Sequence, residues 1–181
     1  MLKPSDKWTW YYDDANQHLM LDLGNEMVFK TNLCRKLIVE CATGVNEFTV
    51  DDASAFQTYK EQISHLGFSE PRQAELALYC VAAKRFHKPV QPKSWFFDCL
   101  SDGSILPEEG DFVRLENTHG AGVFIVLEVG DSASLCASIN LDEFSLNGIK
   151  ALTFGQAIKV MHDRMQITNH SFLTQPMRLV G

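Results

Sequence analysis

The chain has 181 residues, 45% of them hydrophobic, and a formal net charge of -7. That size buries a real core in one large domain or two small ones, and the composition excludes collagen-like, disordered and disulfide-rich classes. The acidic balance argues against a dominant role on nucleic acid or anionic lipid, whose phosphates attract basic surfaces.

Trp8–Tyr12 and His18–Leu23 read as two strands, joined by the turn-rich Asp13-Asp14-Ala15-Asn16-Gln17. Leu19, Leu21 and Leu23 alternate with His18, Met20 and Asp22, as one buried face requires. Met27–Lys30 reads as a third strand, and Arg35–Cys41 fits either a strand or a short helix. Asp51-Asp52 starts a helix, where carboxylates cap free amides and favour the positive end of the dipole. Phe56, Tyr59, Ile63 and Leu66 share one face of it, and Gly67 stops it. Ser69 caps a second helix, with Pro71 in its first turn, running to about Phe86. The centre of that helix, Leu76–Ala83, is apolar all round and belongs deep in a core.

Lys88-Pro89-Val90-Gln91-Pro92-Lys93 ends the helical grammar, because two prolines favour an extended path. Strands are then expected at Trp95–Leu100, Phe112–Glu116, Val123–Val129 and Leu135–Ile139, with a hairpin at Asn147-Gly148. Thr153 and Gln156 read as a capping box for a last helix, whose stripe is Phe154, Ala157, Ile158, Met161 and Met165. The expected architecture is α+β in two packed subdomains. Residues 1–88 form an N-terminal α/β part, a strand hairpin plus two helices. Residues 89–94 are a proline-containing connection, 95–168 a small β-barrel with one helix, and 169–181 a loose tail.

The first seven residues lack the apolar stretch of a signal peptide, and the longest uncharged apolar run has eight residues, against about 20 for a membrane span. A cytoplasmic protein is expected. The cysteines, Cys34, Cys41, Cys80, Cys99 and Cys136, are odd in number and irregularly spaced, which fits reduced, mostly buried thiols. The sequon Asn169-His170-Ser171 is then chance.

Catalytic motifs are incomplete. Gly130-Asp131-Ser132 follows an apolar strand as in one esterase class, but Ala133 stands where Leu is required and no Asp-x-x-His follows. His119-Gly120-Ala121-Gly122 precedes a strand, whereas a phosphate cradle opens a helix. His and Cys spacings match no metal motif, and His162-Asp163 falls on the polar side of the expected last helix. No metal or cofactor is expected. The charge distribution is informative: residues 98–143 hold ten acids and one base, whereas 76–97 hold no acid and Lys84, Arg85, Lys88 and Lys93. That basic strip either docks on the acidic half of the chain or binds a partner.

Several blocks together resemble the ZapC family, Z-ring-associated cell-division proteins of gamma-proteobacteria. They are Trp8-Thr9-Trp10-Tyr11-Tyr12-Asp13, Leu19-Met20-Leu21-Asp22-Leu23, Val50-Asp51-Asp52-Ala53, Lys88–Trp95 and Ala157–Arg164, in the family's order and over nearly the whole chain. The resemblance implies a non-enzymatic protein at midcell, without cofactor. It would bind the division GTPase FtsZ, bundle its filaments laterally, stabilise the Z-ring and lower GTP turnover. The expected contact residues are Lys84, Arg85, Lys88 and Lys93, with Leu21 and Phe56 as apolar candidates and a monomer favoured over an oligomer. The alternatives are a small serine hydrolase using Ser132 and an RNA-binding barrel protein.

Overall fold

The computed structural model describes residues 2–168, so the expected tail and the Asn169 sequon lie outside the described residues. The described chain is mixed α+β and falls into two compact units. One comprises the residues up to Ile63 with Ser69–Pro89; the other comprises Ser64–Phe68 with the residues from Val90 on.

The first unit carries β1 (Thr9–Asp13), β2 (His18–Gly24), β3 (Met27–Cys34) and β4 (Asn46–Glu47), then α1 (Val50–Ile63) and α2 (Glu70–Phe86). The strands form one antiparallel sheet in the order β3-β2-β1-β4. Register places Trp10 opposite Leu21 and Tyr12 opposite Leu19. The alternation therefore buries Trp8, Trp10, Leu19 and Leu21. The ambiguous stretch 35–41 resolves into two 3₁₀ turns, Arg35–Leu37 and Glu40–Thr43.

The first helix is capped by Thr49, one turn before the predicted carboxylates. Thr49 Oγ1 accepts from the Asp52 amide at 3.1 Å, and Asp52 Oδ2 accepts from the Thr49 amide at 3.0 Å. This is a reciprocal capping pair. The same Oδ2 accepts from the Trp10 indole at 3.1 Å and from the Arg85 guanidinium at 2.5 Å. Asp52 is only 4% exposed. A single carboxylate thus joins β1, the start of α1 and the end of α2. Arg85 also donates to the Glu47 carbonyl at 2.7 Å and lies 4.6 Å over the Phe86 ring. Trp10 packs against Phe48 and Phe86, and Trp8 against Phe48 and Phe56. The second helix is as expected, with Ser69 accepting from the Arg72 amide and Leu76, Ala77, Leu78, Cys80 and Val81 buried.

The second unit contains β5 (Phe112–Asn117), β6 (Gly120–Val129), β7 (Ala133–Ser138), β8 (Phe144–Ser145), β9 (Ala151–Leu152), β10 (Ala157–Met161) and β11 (Gln166–Thr168). Five of these form an open antiparallel sheet, β10-β7-β6-β5-β11, and β8-β9 is a separate hairpin. The expected closed barrel is not formed. The outer edge of β10 is taken by the chain ahead of the sheet: the Lys93 amide donates to the Lys159 carbonyl at 2.8 Å, and the Met161 amide to Ser94 Oγ at 2.8 Å. An edge covered in this way offers no ladder to close on.

Two further expectations are corrected. The segment after Thr153 is β10, not a helix. Gly155 has φ +79° where the first helical turn would lie, and Ile158 and Val160 alternate with Lys159 against β7. Gln156 does accept from the Thr153 amide, at 3.0 Å, but the bond closes a tight turn. Residues 95–100 are not a strand, since Ser94–Phe96 forms a 3₁₀ turn. The Asn147-Gly148 hairpin is present with a wider loop, in which Asn147 Oδ1 accepts from the Ile149 and Lys150 amides. Of the cysteines, Cys80 and Cys136 are buried, and burial pushes both thiols well up; Cys41 and Cys99 are exposed.

Removing the Asp52 carboxylate leaves an indole, an amide and a guanidinium short of their acceptor. Asp52→Ala is expected to cost about 3 kcal/mol. That is a drop of roughly 6–12 °C in calorimetric Tm for a chain of this size. Asp52→Asn, which keeps one carbonyl oxygen, should lose less.

Candidate functional site

From Val90 to Thr168 the second unit has five Lys and Arg residues: Lys93, Arg114, Lys150, Lys159 and Arg164. Both arginines are consumed internally, Arg114 on Glu116 at 2.6 Å and Arg164 on Asp163 at 2.7 Å. Lys93, Lys150 and Lys159 make no ion pair among the described residues. Lys150 lines an open cleft of about 540 Å³ together with Trp95, Phe96, Phe97, Asp98 and His119. Lys93 precedes the turn that carries Trp95, and its backbone touches that of Lys159.

Trp95 is 70% exposed at this cleft, and Ile149, beside Lys150, is 92% exposed. Phe97, two residues from Trp95, is buried and packs on Phe124 and Phe144. A large exposed indole in a cleft that Lys150 also lines, with an exposed isoleucine next to that lysine in the chain, is the composition of a surface that gains by being covered. The segment bearing Trp95 has no ladder of its own and is held from outside. Arg164 Nε donates to the Ser94 and Phe97 carbonyls at 3.3 and 3.2 Å, and the Asp163 carbonyl accepts from the Leu100 and Ser101 amides.

The sequence-predicted contact residues divide between the units. Lys84 and Lys88 are exposed at and just beyond the end of α2, in the first unit. Lys84 borders a cleft of about 350 Å³ that Asp51 and Arg85 also line. Arg85 sits in the same place but is committed to Asp52 and the Glu47 carbonyl. Lys93 belongs to the second unit. Leu21 and Phe56 are 0% and 2% exposed and are part of the first unit's core. Trp95, Ile149 and Lys150 were absent from the expected set. The placement of Ile149-Lys150 directly after Asn147-Gly148 signals a protruding hairpin tip, but nothing in the sequence says that Trp95 faces outward while Phe97 faces inward.

Ser132 lies exposed in the turn after β6. The nearby histidine pairs elsewhere: His162 Nε2 meets Ser134 Oγ at 2.8 Å, with Ser134 and His162 both buried. His162 is therefore not on a solvated helix face. Its Nδ1 meets no hydrogen-bond partner. Burial lowers its pKa below the ordinary histidine value. Among the described residues no three His, Cys, Asp or Glu side chains gather as metal ligands would, and no helix is long and apolar enough to cross a membrane.

Residues 1–88 match the family model "Cell-division protein ZapC, N-terminal", and residues 89–171 match "Cell-division protein ZapC, C-terminal". The chain belongs to the ZapC family. It is 60% identical to the cell division protein ZapC of Vibrio cholerae over the full length of both chains. It is 59% identical to that of Vibrio vulnificus, again over the whole of each, and 37% identical to that of Aeromonas hydrophila over 91% of each. These names place this ZapC-family chain in cell division.

The cleft geometry separates neighbouring aromatics by role. Trp95→Ala should leave the calorimetric Tm nearly unchanged, because the indole is solvated already. Phe97→Ala should cost about 3 kcal/mol or more, as for other core aromatics, and lower Tm by several degrees.

Proposed function

We propose that this protein is a non-enzymatic, cytoplasmic division protein that acts at midcell by binding FtsZ. In this reading it bundles FtsZ filaments laterally, stabilises the Z-ring and lowers GTP turnover. Family membership over the whole chain supports the division role. The observation that carries the binding mode is the set of lysines left without internal ion pairs. Exposed Lys88 belongs to the first unit; in the second, Lys150 lines the cleft that exposes Trp95, and exposed Lys93 precedes the turn that carries it.

Exposed lysines together with an exposed indole suit the surface of an acidic protein. The lysines steer and orient, while the indole supplies apolar contact area. Polymers favour such a design, because modest contacts repeated along a filament add through effective concentration. Lys84, Lys88, Lys93 and Lys150 are the contact cations. Arg85 acts indirectly by fixing the end of α2. Leu21 and Phe56 contribute by packing the unit that presents Lys84 and Lys88.

Co-sedimentation of the purified protein with FtsZ polymers tests this. Lys88→Glu with Lys93→Glu should weaken binding by roughly five- to thirtyfold, taking about 0.5–1 kcal/mol for each exposed contact. Raising the salt from about 0.1 M toward 1 M should remove most of the remaining binding, as screening shortens from about 10 Å to 3 Å. The Tm should stay nearly unchanged. Binding that survives while Tm falls would mean that the lysines are structural and the partner site lies elsewhere. The alternative serine-hydrolase reading requires esterase turnover that Ser132→Ala abolishes; none is expected.

A further inference from the structure

The cleft depends on three consecutive residues that lie outside it. Arg164 clamps the Ser94 and Phe97 carbonyls, bracketing Trp95, and the Asp163 carbonyl accepts from the Leu100 and Ser101 amides. The His162 carbonyl accepts from Ser101 Oγ at 3.1 Å, and its amide donates to the Ser132 carbonyl at 2.8 Å. The His162 ring, 1% exposed, is anchored to Ser134 on β7. We propose that His162-Asp163-Arg164 is a positioning strap for the Trp95 segment, and that mild acid opens it because His162 cannot accept a second ring proton in place.

The chemistry is specific. A neutral imidazole with one nitrogen on Ser134 tolerates an unpartnered Nδ1 as an acceptor without a donor. The imidazolium carries N–H donors on both nitrogens, and Nδ1 has no acceptor within reach. The charged groups on the surrounding elements do not supply one. Asp163 is paired to Arg164, Asp102 on the adjoining turn is bonded to Ser104, and Asp131 is exposed on the β6–β7 turn. Burying an imidazolium without a partner is unfavourable, so the opened strap binds the proton more tightly than the closed one. The sign follows from linkage. A histidine whose pKa is depressed in the closed state contributes stability above its ordinary pKa of about 6.5, and that contribution is lost as pH falls below it. Each unit of depression permits at most about a tenfold shift toward the open strap.

The inference rests on the proposed function only for its consequence, that partner binding also weakens in acid. The opening itself is read on the free, full-length protein. Hydrogen exchange by mass spectrometry, corrected for intrinsic rates, is compared at about pH 7.5 and about pH 5.5, either side of the histidine range. Protection of peptides spanning residues 94–103 and 162–168 should fall several-fold, and at most about tenfold, more than that of peptides within α2. His162→Gln, which can still meet Ser134 but cannot protonate, should abolish that difference. An equal change in all peptides, or an unchanged acid response in His162→Gln, overturns the proposal. If the variant does not fold, an NMR titration of the unsubstituted protein decides. The His162 midpoint should lie below about 6.5, and the Trp95 indole resonance, assigned through Trp95→Phe, should move with it. An ordinary midpoint, or an indole unmoved through the transition, overturns the proposal equally. Co-sedimentation with FtsZ at the lower pH separates the two readings. Strap opening without loss of binding supports the strap and counts against the cleft as the contact, whereas loss of binding with unchanged exchange refutes the strap alone.

Discussion

A buried carboxylate must be paired, and the pairing of Asp52 organises the first unit. Removed from water, its charge is tolerable only with donors converging on it. Those donors come from β1, from the residue that caps α1, and from the end of α2. The relative placement of sheet and helices is thereby fixed at one oxygen. The packing of Trp8, Trp10, Phe48, Phe56 and Phe86 follows around it. It also accounts for Arg85, which looks like a surface cation in sequence and is an internal tie in the fold.

Arg164 does comparable work in the second unit, by a different route. It satisfies the carbonyls of a segment that has no strand to pair with, so a stretch rich in aromatic residues is held as a shaped loop. That shape decides which aromatics face the core and which face solvent. Phe97 joins Phe124 and Phe144, while Trp95 stays outside. Among the described residues every arginine is in an ion pair, whereas Lys88, Lys93, Lys150 and Lys159 are not. The division fits the side chains. The planar guanidinium makes several directed bonds at once, and the ammonium is a compact, well-hydrated charge. In an acidic chain it leaves lysines as the cations available to a partner.

The sequence determined β1, β2 and the first half of β3, both helices of the first unit and the Ser69 cap, but not the short β4. Alternation in Leu19, Leu21 and Leu23, the spacing of Phe56, Tyr59 and Ile63, and the apolar run Leu76–Ala83 are local signals with one consistent reading. It also located β5, β6, β7 and the β8–β9 turn, and it supplied the family resemblance and the uneven charge. Tertiary structure alone decided the rest. Ala157–Met161 satisfies a helical stripe and a strand alternation equally well; only the β7 partner and the turn at Gly155 select the strand. An open sheet rather than a barrel depends on Lys93 and Ser94 reaching the β10 edge, a contact more than sixty residues apart in the chain. Which cations are free, which aromatic is exposed and which histidine is buried are likewise outcomes of long-range pairing. A side chain's type states what it can bond to, and only the folded chain states what is within reach.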